Sequence, residues 1–204
     1  LANEMYLDSA DIRKNIVSIA KMLGYTPTSA KAPIASINVL VNNASGSSIT
    51  MDKGTVFTSS IGGTSYQFIT NASHTINPLD GVYQFSDIDI YEGTLVNFKY
   101  TVDSGDVDQR FLIPNADTST LKIQIQNSSS DTTTSTYTLA SGLISLDSTS
   151  KAYFLQEAED GKFEVYFGDG VVGKKLEDGN IVILEYIVTN KTEGNGASSF
   201  TLSG

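Results

Sequence analysis

Apolar and polar positions alternate along most of this chain with a period of two residues, the repeat of an extended strand with one covered face. Ile37, Val39 and Val41 share a face in Ser36–Asn42, as do Val96, Phe98, Tyr100 and Val102 in Thr94–Asp103. Leu121, Ile123 and Ile125 alternate with Lys122, Gln124 and Gln126 in the same way. Ile181–Val188 is apolar on both faces apart from Glu185, which predicts an interior strand. Shorter runs predict strands at Gly54–Ser59, Tyr66–Thr70, Val82–Phe85, Arg110–Ile113, Tyr137–Leu139, Ala152–Gln156 and Phe163–Phe167. Asp160-Gly161 tolerates the positive φ angles of a tight hairpin turn, so the strands on either side of it are expected to pair. Gly62-Gly63, Asp80-Gly81, Glu92-Gly93 and Asp178-Gly179 mark further reversals.

The period changes only near the start. Ile12, Ile16, Ile19 and Leu23 recur at steps of four, three and four, which predicts an amphipathic helix from about Ser9 to Leu23. Asp8 or Ser9 can cap its first turn, and Gly24 and Pro27 end it. The stripe either packs into a helical bundle shared with partner proteins or caps the chain's own β-core, and periodicity serves both equally. The expected class is therefore mainly β (α+β): antiparallel β-sheets with one N-terminal amphipathic helix. The Ser/Thr/Asp-rich stretch Asn127–Ser135 is too polar to bury and predicts an exposed loop. It divides the expected organisation into a helical segment (1–30), a β-rich domain (31–127) and a smaller β-unit (136–204), with a single domain as the other option.

Composition removes several functions. The chain has 204 residues, a formal charge of −10 and a sequence pI near 4.4. An acidic field of that size repels phosphate, so nucleic acid is not an expected partner. No apolar run approaches the roughly 20 residues of a membrane helix, and no membrane partner is expected. Cysteine is absent, which removes disulfides, thiolate nucleophiles and cysteine-held metals. Charged residues make up only 18% while Ser, Thr, Asn and Gly abound, a bias that suits a surface buried against neighbours and equally suits secreted β-proteins. Because the sequence opens and stops amid structured-looking segments, a piece of a longer protein is expected.

Chemistry-bearing constellations are sparse. His74 is the one histidine and has no G-x-S-x-G elbow to serve. Asp103, Asp106 and Asp108 cluster around Gly105 without the spacing or distal Glu of a calcium loop. Asp87 and Asp89, two residues apart on one strand, do not straddle a sugar. No catalytic residue, metal or cofactor is expected, and the chain is not expected to be an enzyme. Its most distinctive segment is Phe167-Gly168-Asp169-Gly170, followed by Gly173. The glycines permit a sharp reversal, Asp169 can bond its own loop and Phe167 can anchor it, so a structural turn is expected rather than a phosphate loop.

That turn also carries a resemblance. Tyr166-Phe167-Gly168-Asp169-Gly170-Val171-Val172-Gly173 is similar to the F-G-D-G-x-x-G signature of the baseplate wedge and baseplate J-like families of contractile-tailed phages. Glu185-Tyr186-Ile187-Val188-Thr189-Asn190 stands where those families place a Y-x-V-T-x-G-like segment. Upstream, Gly24-Tyr25-Thr26-Pro27-Thr28-Ser29, Met51-Asp52-Lys53-Gly54-Thr55-Val56-Phe57, Tyr91-Glu92-Gly93-Thr94 and Arg110-Phe111-Leu112-Ile113-Pro114-Asn115 resemble further elements of the same proteins, in the same order. Met51-Asp52 replaces the usual Ile-Pro. The resemblance implies a structural subunit of a virion tail baseplate, assembled in the host cytoplasm. It would form a ring around the central hub with other wedge proteins, dimeric in the full-length protein and rearranging on contraction. A receptor- or glycan-binding β-module of a phage fibre or cell-surface adhesin is the alternative that composition supports.

Overall fold

The computed structural model describes residues 12, 15, 16, 19, 28–106, 109–114, 116–140, 146–158 and 162–203. The strands are β1 (Ile34–Val41), β2 (Ile49–Met51), β3 (Val56–Ile61), β4 (Thr64–Thr70), β5 (His74–Ile76), β6 (Tyr83–Glu92) and β7 (Thr94–Thr101), then β8 (Phe111–Ile113), β9 (Ala116–Gln126), β10 (Thr134–Leu139), β11 (Ala152–Glu157), β12 (Phe163–Phe167), β13 (Ile181–Val188) and β14 (Thr201–Leu202). They form a five-stranded sheet in the order β1-β6-β4-β3-β14, a seven-stranded sheet in the order β7-β13-β9-β10-β11-β12-β8, and a two-stranded ribbon of β2 and β5. The chain divides into two compact units, each assembled from two segments: one from Leu1–Ala30 and Asn97–Tyr186, the other from Lys31–Val96 and Ile187–Gly204.

One expectation is corrected. The described residues contain no helix of seven or more residues, so the N-terminal amphipathic helix of the α+β reading is not seen and the described residues are mostly β. Of the predicted stripe, Leu23 lies outside the described residues, as do the capping positions Asp8, Ser9, Gly24 and Pro27. Ile16 and Ile19 are helical and half-buried, whereas Ile12 is 55% exposed. Four-residue spacing says which side chains would share a face. Closing the backbone into a stable helix needs that face covered, and a segment of some 15 residues is marginal without it.

In the five-stranded unit, Phe57, Phe68, Phe85, Ile88 and Ile90 form a core with Met51, and Ile49 and Ile76 of the ribbon pack against it. β6 shows how alternation is kept in phase. Tyr83, Phe85, Ile88, Ile90 and Glu92 are all buried, although Phe85 and Ile88 are three residues apart. The register with β1 shifts between Ile37 and Val39, and Asp87 takes a left-handed φ of 54°. This bulge adds one residue to β6 and returns the following apolar positions to the core face.

Alternation therefore delivers Glu92 into the interior, where it is 0% exposed. Its carboxyl oxygens accept from the Thr189 hydroxyl (2.7 Å), the Asn190 backbone N–H (3.0 Å) and the Asn190 amide (2.7 Å). Gly194, in the short 3-10 turn Lys191–Gly194, completes the enclosure: a Cβ there would lie 2.5 Å from Glu92 Cγ. Gly93 (φ 124°) is equally constrained, since its Cβ would meet the Val188 carbonyl oxygen at 2.2 Å. Beyond the turn, Phe200 meets Phe68 edge-on at 5.0 Å and β14 pairs with β3.

In the seven-stranded unit, Ile113, Ile123, Val165, Val182 and Leu184 are fully buried. β13 lies between β7 and β9, the interior position its two-faced apolarity predicts. β11 and β12 pair antiparallel from Tyr153↔Phe167 to Glu157↔Phe163, as the hairpin reading expects, although Asp160-Gly161 lies outside the described residues. Asn127–Thr133 connects β9 to β10, which pair antiparallel within this same unit, so Thr134 and Ser135 of the expected loop belong to β10. Tyr186 is buried with no partner for its hydroxyl among the described residues, and burial pushes its pKa up to about 12.

Truncating Glu92 leaves the buried Thr189 hydroxyl without its acceptor and removes the partner of both Asn190 donors. Glu92→Ala is expected to lower unfolding stability by about 2 to 4 kcal/mol, while Asp89→Ala, exposed on the same strand, should stay within about 0.5 kcal/mol. Urea unfolding followed by circular dichroism measures both.

Candidate functional site

β12 ends at Phe167, whose ring meets Phe111 at 5.8 Å and Tyr137 at 5.6 Å, both edge-on. At Gly168 the chain approaches its own continuation so closely that a Cβ would lie 2.3 Å from the Gly173 carbonyl. Gly170 (φ 92°) and Gly173 (φ 82°) occupy left-handed regions that L side chains rarely adopt. The Gly170 N–H donates to the Gly173 carbonyl (3.1 Å), and Asp169 Oδ1 accepts from the N–H groups of Val171 (2.8 Å) and Val172 (2.9 Å). The bond from Val172, then that from Val171, holds the Asp169 carboxyl below its ordinary pKa. Val171 stands at the loop tip, 74% exposed.

A second loop supports the first. Gly173 N–H donates to the Asp147 carbonyl (3.0 Å) and Lys174 N–H to the Ser150 carbonyl (2.8 Å). Asp147 Oδ1 in turn accepts from the Ser150 hydroxyl (2.7 Å) and from the Thr149 hydroxyl and N–H (2.9 Å each). Those bonds, the Ser150 hydroxyl foremost, lower its pKa to about 2. Phe167, Gly168, Asp169, Gly170 and Gly173 thus form one hydrogen-bonded loop, and each aspartate turns a carboxyl oxygen back onto its own loop.

The other candidates stay apart. His74 lies in β5 opposite Met51, half-buried. Asp103 Oδ1 accepts from the Gly105 N–H (2.8 Å), closing a small turn, and Asp108 is outside the described residues. Asp87 and Asp89 are both exposed, with the Asp87 N–H donating to Asn38 Oδ1 (2.9 Å). No group of three or more metal-ligating side chains occurs among the described residues. Near the hairpin of β11 and β12, Tyr166 stacks on Phe154 at 5.1 Å and carries the Arg110 guanidinium over its ring at 5.1 Å. Arg110 also pairs with Glu164 at 2.7 Å.

Sequence reading missed Glu92 and Asp147. For Asp147 the signal is present in Asp147-Ser148-Thr149-Ser150, an acid followed by hydroxyl residues that can donate back to it. For Glu92 the signal is its parity on β6, hidden by the bulge.

No family model matches the chain. Over 224 aligned positions covering 97% of the chain, it is 25% identical to the baseplate wedge protein gp6 of Enterobacteria phage T4. The alignment covers 32% of that protein, so the chain spans about a third of the length of this relative.

A Cβ at position 168 would drive two backbone segments apart. Gly168→Ala should therefore lower stability by about 3 kcal/mol or more, against a change within about 0.5 kcal/mol for Val171→Ala at the exposed tip, in the same urea assay. Asp147 should also leave a mark in acid. Its pKa is depressed in the folded state, so its contribution is fully present above the ordinary 3.8 and is lost as pH falls toward about 2. Stability measured across that window should decline less steeply for Asp147→Asn.

Proposed function

We propose that the chain is part of a structural subunit of a phage tail baseplate and works by docking rather than by catalysis. The observation that carries this reading is the similarity to a baseplate wedge protein across 97% of the chain. The geometry of the Phe167–Gly173 loop agrees with it, since its polar groups are spent on holding its own shape. In this reading the protein sits in the virion tail, assembled in the host cytoplasm. It associates with other wedge proteins in a ring around the hub, pairs with a second copy in its full-length form, and rearranges with contraction. The Phe167–Gly173 loop is a structural turn in it.

A glycan-binding β-module fits less well, because such sites present a free aromatic face. Tyr166 is instead stacked on Phe154 and overlain by Arg110. Negative-stain microscopy of tailed particles labelled with an antibody against this chain tests the proposal. Label at the distal plate of the tail is expected. Label along fibres, or turnover of a polysaccharide by the purified chain, overturns it.

A further inference from the structure

The five-stranded sheet ends at β1. Among the described residues β1 pairs only with β6, so its other edge carries open backbone donors and acceptors. Proteins commonly blunt such edges by shortness, charge or proline. The remaining sheet ends conform: β14 has two residues, β8, β2 and β5 have three each, and β7 carries Lys99. β1 does not. Its eight residues, Ile34–Val41, include no charge and no proline, and Ile34 and Leu40 are 57% and 55% exposed.

The open edge is complementary to itself. The Pro33 carbonyl accepts from the Glu92 N–H (2.8 Å), which by strand alternation turns the odd-numbered backbone groups toward β6 and the even-numbered ones outward. Asp87 agrees, since its N–H bonds the Asn38 side chain. The added residue of the bulge lies in β6, so β1 itself stays regular. The even positions also form the exposed face: Ile34, Ser36, Asn38 and Leu40, apolar at both ends and polar between.

A second β1 laid antiparallel and centred on Ile37 sets Ile34 against Leu40 and Ser36 against Asn38. On the other face it sets Ala35 against Val39, residues that are only half-buried in the single chain. The opposed even positions are those whose N–H and C=O point outward, so backbone bonds and side-chain matches fall in one register. Sliding by one residue flips the faces, and sliding by two places Leu40 against Ser36. The chain carries −10 overall, yet a twin of this strand meets no like charge here.

We infer that the open edge of β1 is a homotypic docking surface on which a second copy of this chain lays its own β1 antiparallel. This rests on the docking reading proposed above and deepens it by naming the strand and the register. An eight-residue strand pair is smaller than the standard interface of roughly 1,600 Å². The isolated chain therefore pairs weakly, and pairing strengthens where copies are held close together.

The absence of cysteine gives the test a clean background. Ile34→Cys and Leu40→Cys, both at exposed positions, are prepared separately and oxidised alone and as an equimolar mixture. A disulfide-linked dimer is expected in the mixture and in neither sample alone. Sedimentation velocity of the unaltered chain should show mass rising toward twofold with concentration. Ser36→Pro, which removes one outward N–H and leaves the bonds to β6 intact, should weaken that association at least about tenfold. The inference is overturned by a mixture that cross-links no better than its components, by single variants that cross-link alone, or by a chain still monomeric at about 1 mM. A monomer that labels the distal plate would sink the pairing and spare the baseplate reading, whereas a dimer absent from the plate would do the reverse.

Discussion

The five-stranded unit is closed by a buried carboxyl group. Glu92 stands at the end of β6, and its three donors come from Thr189 and Asn190, almost a hundred residues later in the chain. A buried polar group without partners would be strongly unfavourable, so the position of Glu92 and the path of the returning chain determine each other. Gly194 and Gly93 belong to the same arrangement, because a methyl group at either would collide with what it encloses. Once that return is fixed, Ala197 and Phe200 fall over the phenylalanine core and β14 reaches β3.

A second device of the same kind shapes the seven-stranded unit. Asp169 and Asp147 bond N–H groups of their own loops, and two backbone bonds join one loop to the other. Exposed aspartates in this role organise backbone without burying charge, which suits a chain with many turns and few basic residues. Both units thus rely on acidic side chains used as acceptors of local hydrogen bonds, and a large negative charge coexists with ordered loops.

Most strands were legible because a covered face imposes a two-residue repeat, and Ile37, Val96 and Leu121 each sit in a run that shows it. The pairing of β11 with β12 was legible from Asp160-Gly161, a local signal. What escaped was non-local or irregular. The bulge at Asp87 shifts phase inside β6, so Glu92 looked like part of a turn when it is in fact a core residue. The three-residue strands β2 and β5 are too short to display a period, and their pairing depends on a neighbour's face. The units themselves are each made of two separated segments, and a reading that moves serially along composition has no means of joining Lys31–Val96 to Ile187–Gly204. The N-terminal stripe failed for the opposite reason, since a helical period exists there without a described helix long enough to match it.

That split has a temporal side. A chain leaving the ribosome exposes Phe68 long before Phe200 emerges, so the core of the five-stranded unit waits, partly uncovered, while the entire intervening segment is made. Contacts of such long sequence separation are slow to form because the loop must close before they reward it. During that interval the nascent protein offers an apolar surface to chaperones and to its neighbours on the same polysome, and the late arrival of Ile187–Gly204 ends its exposure.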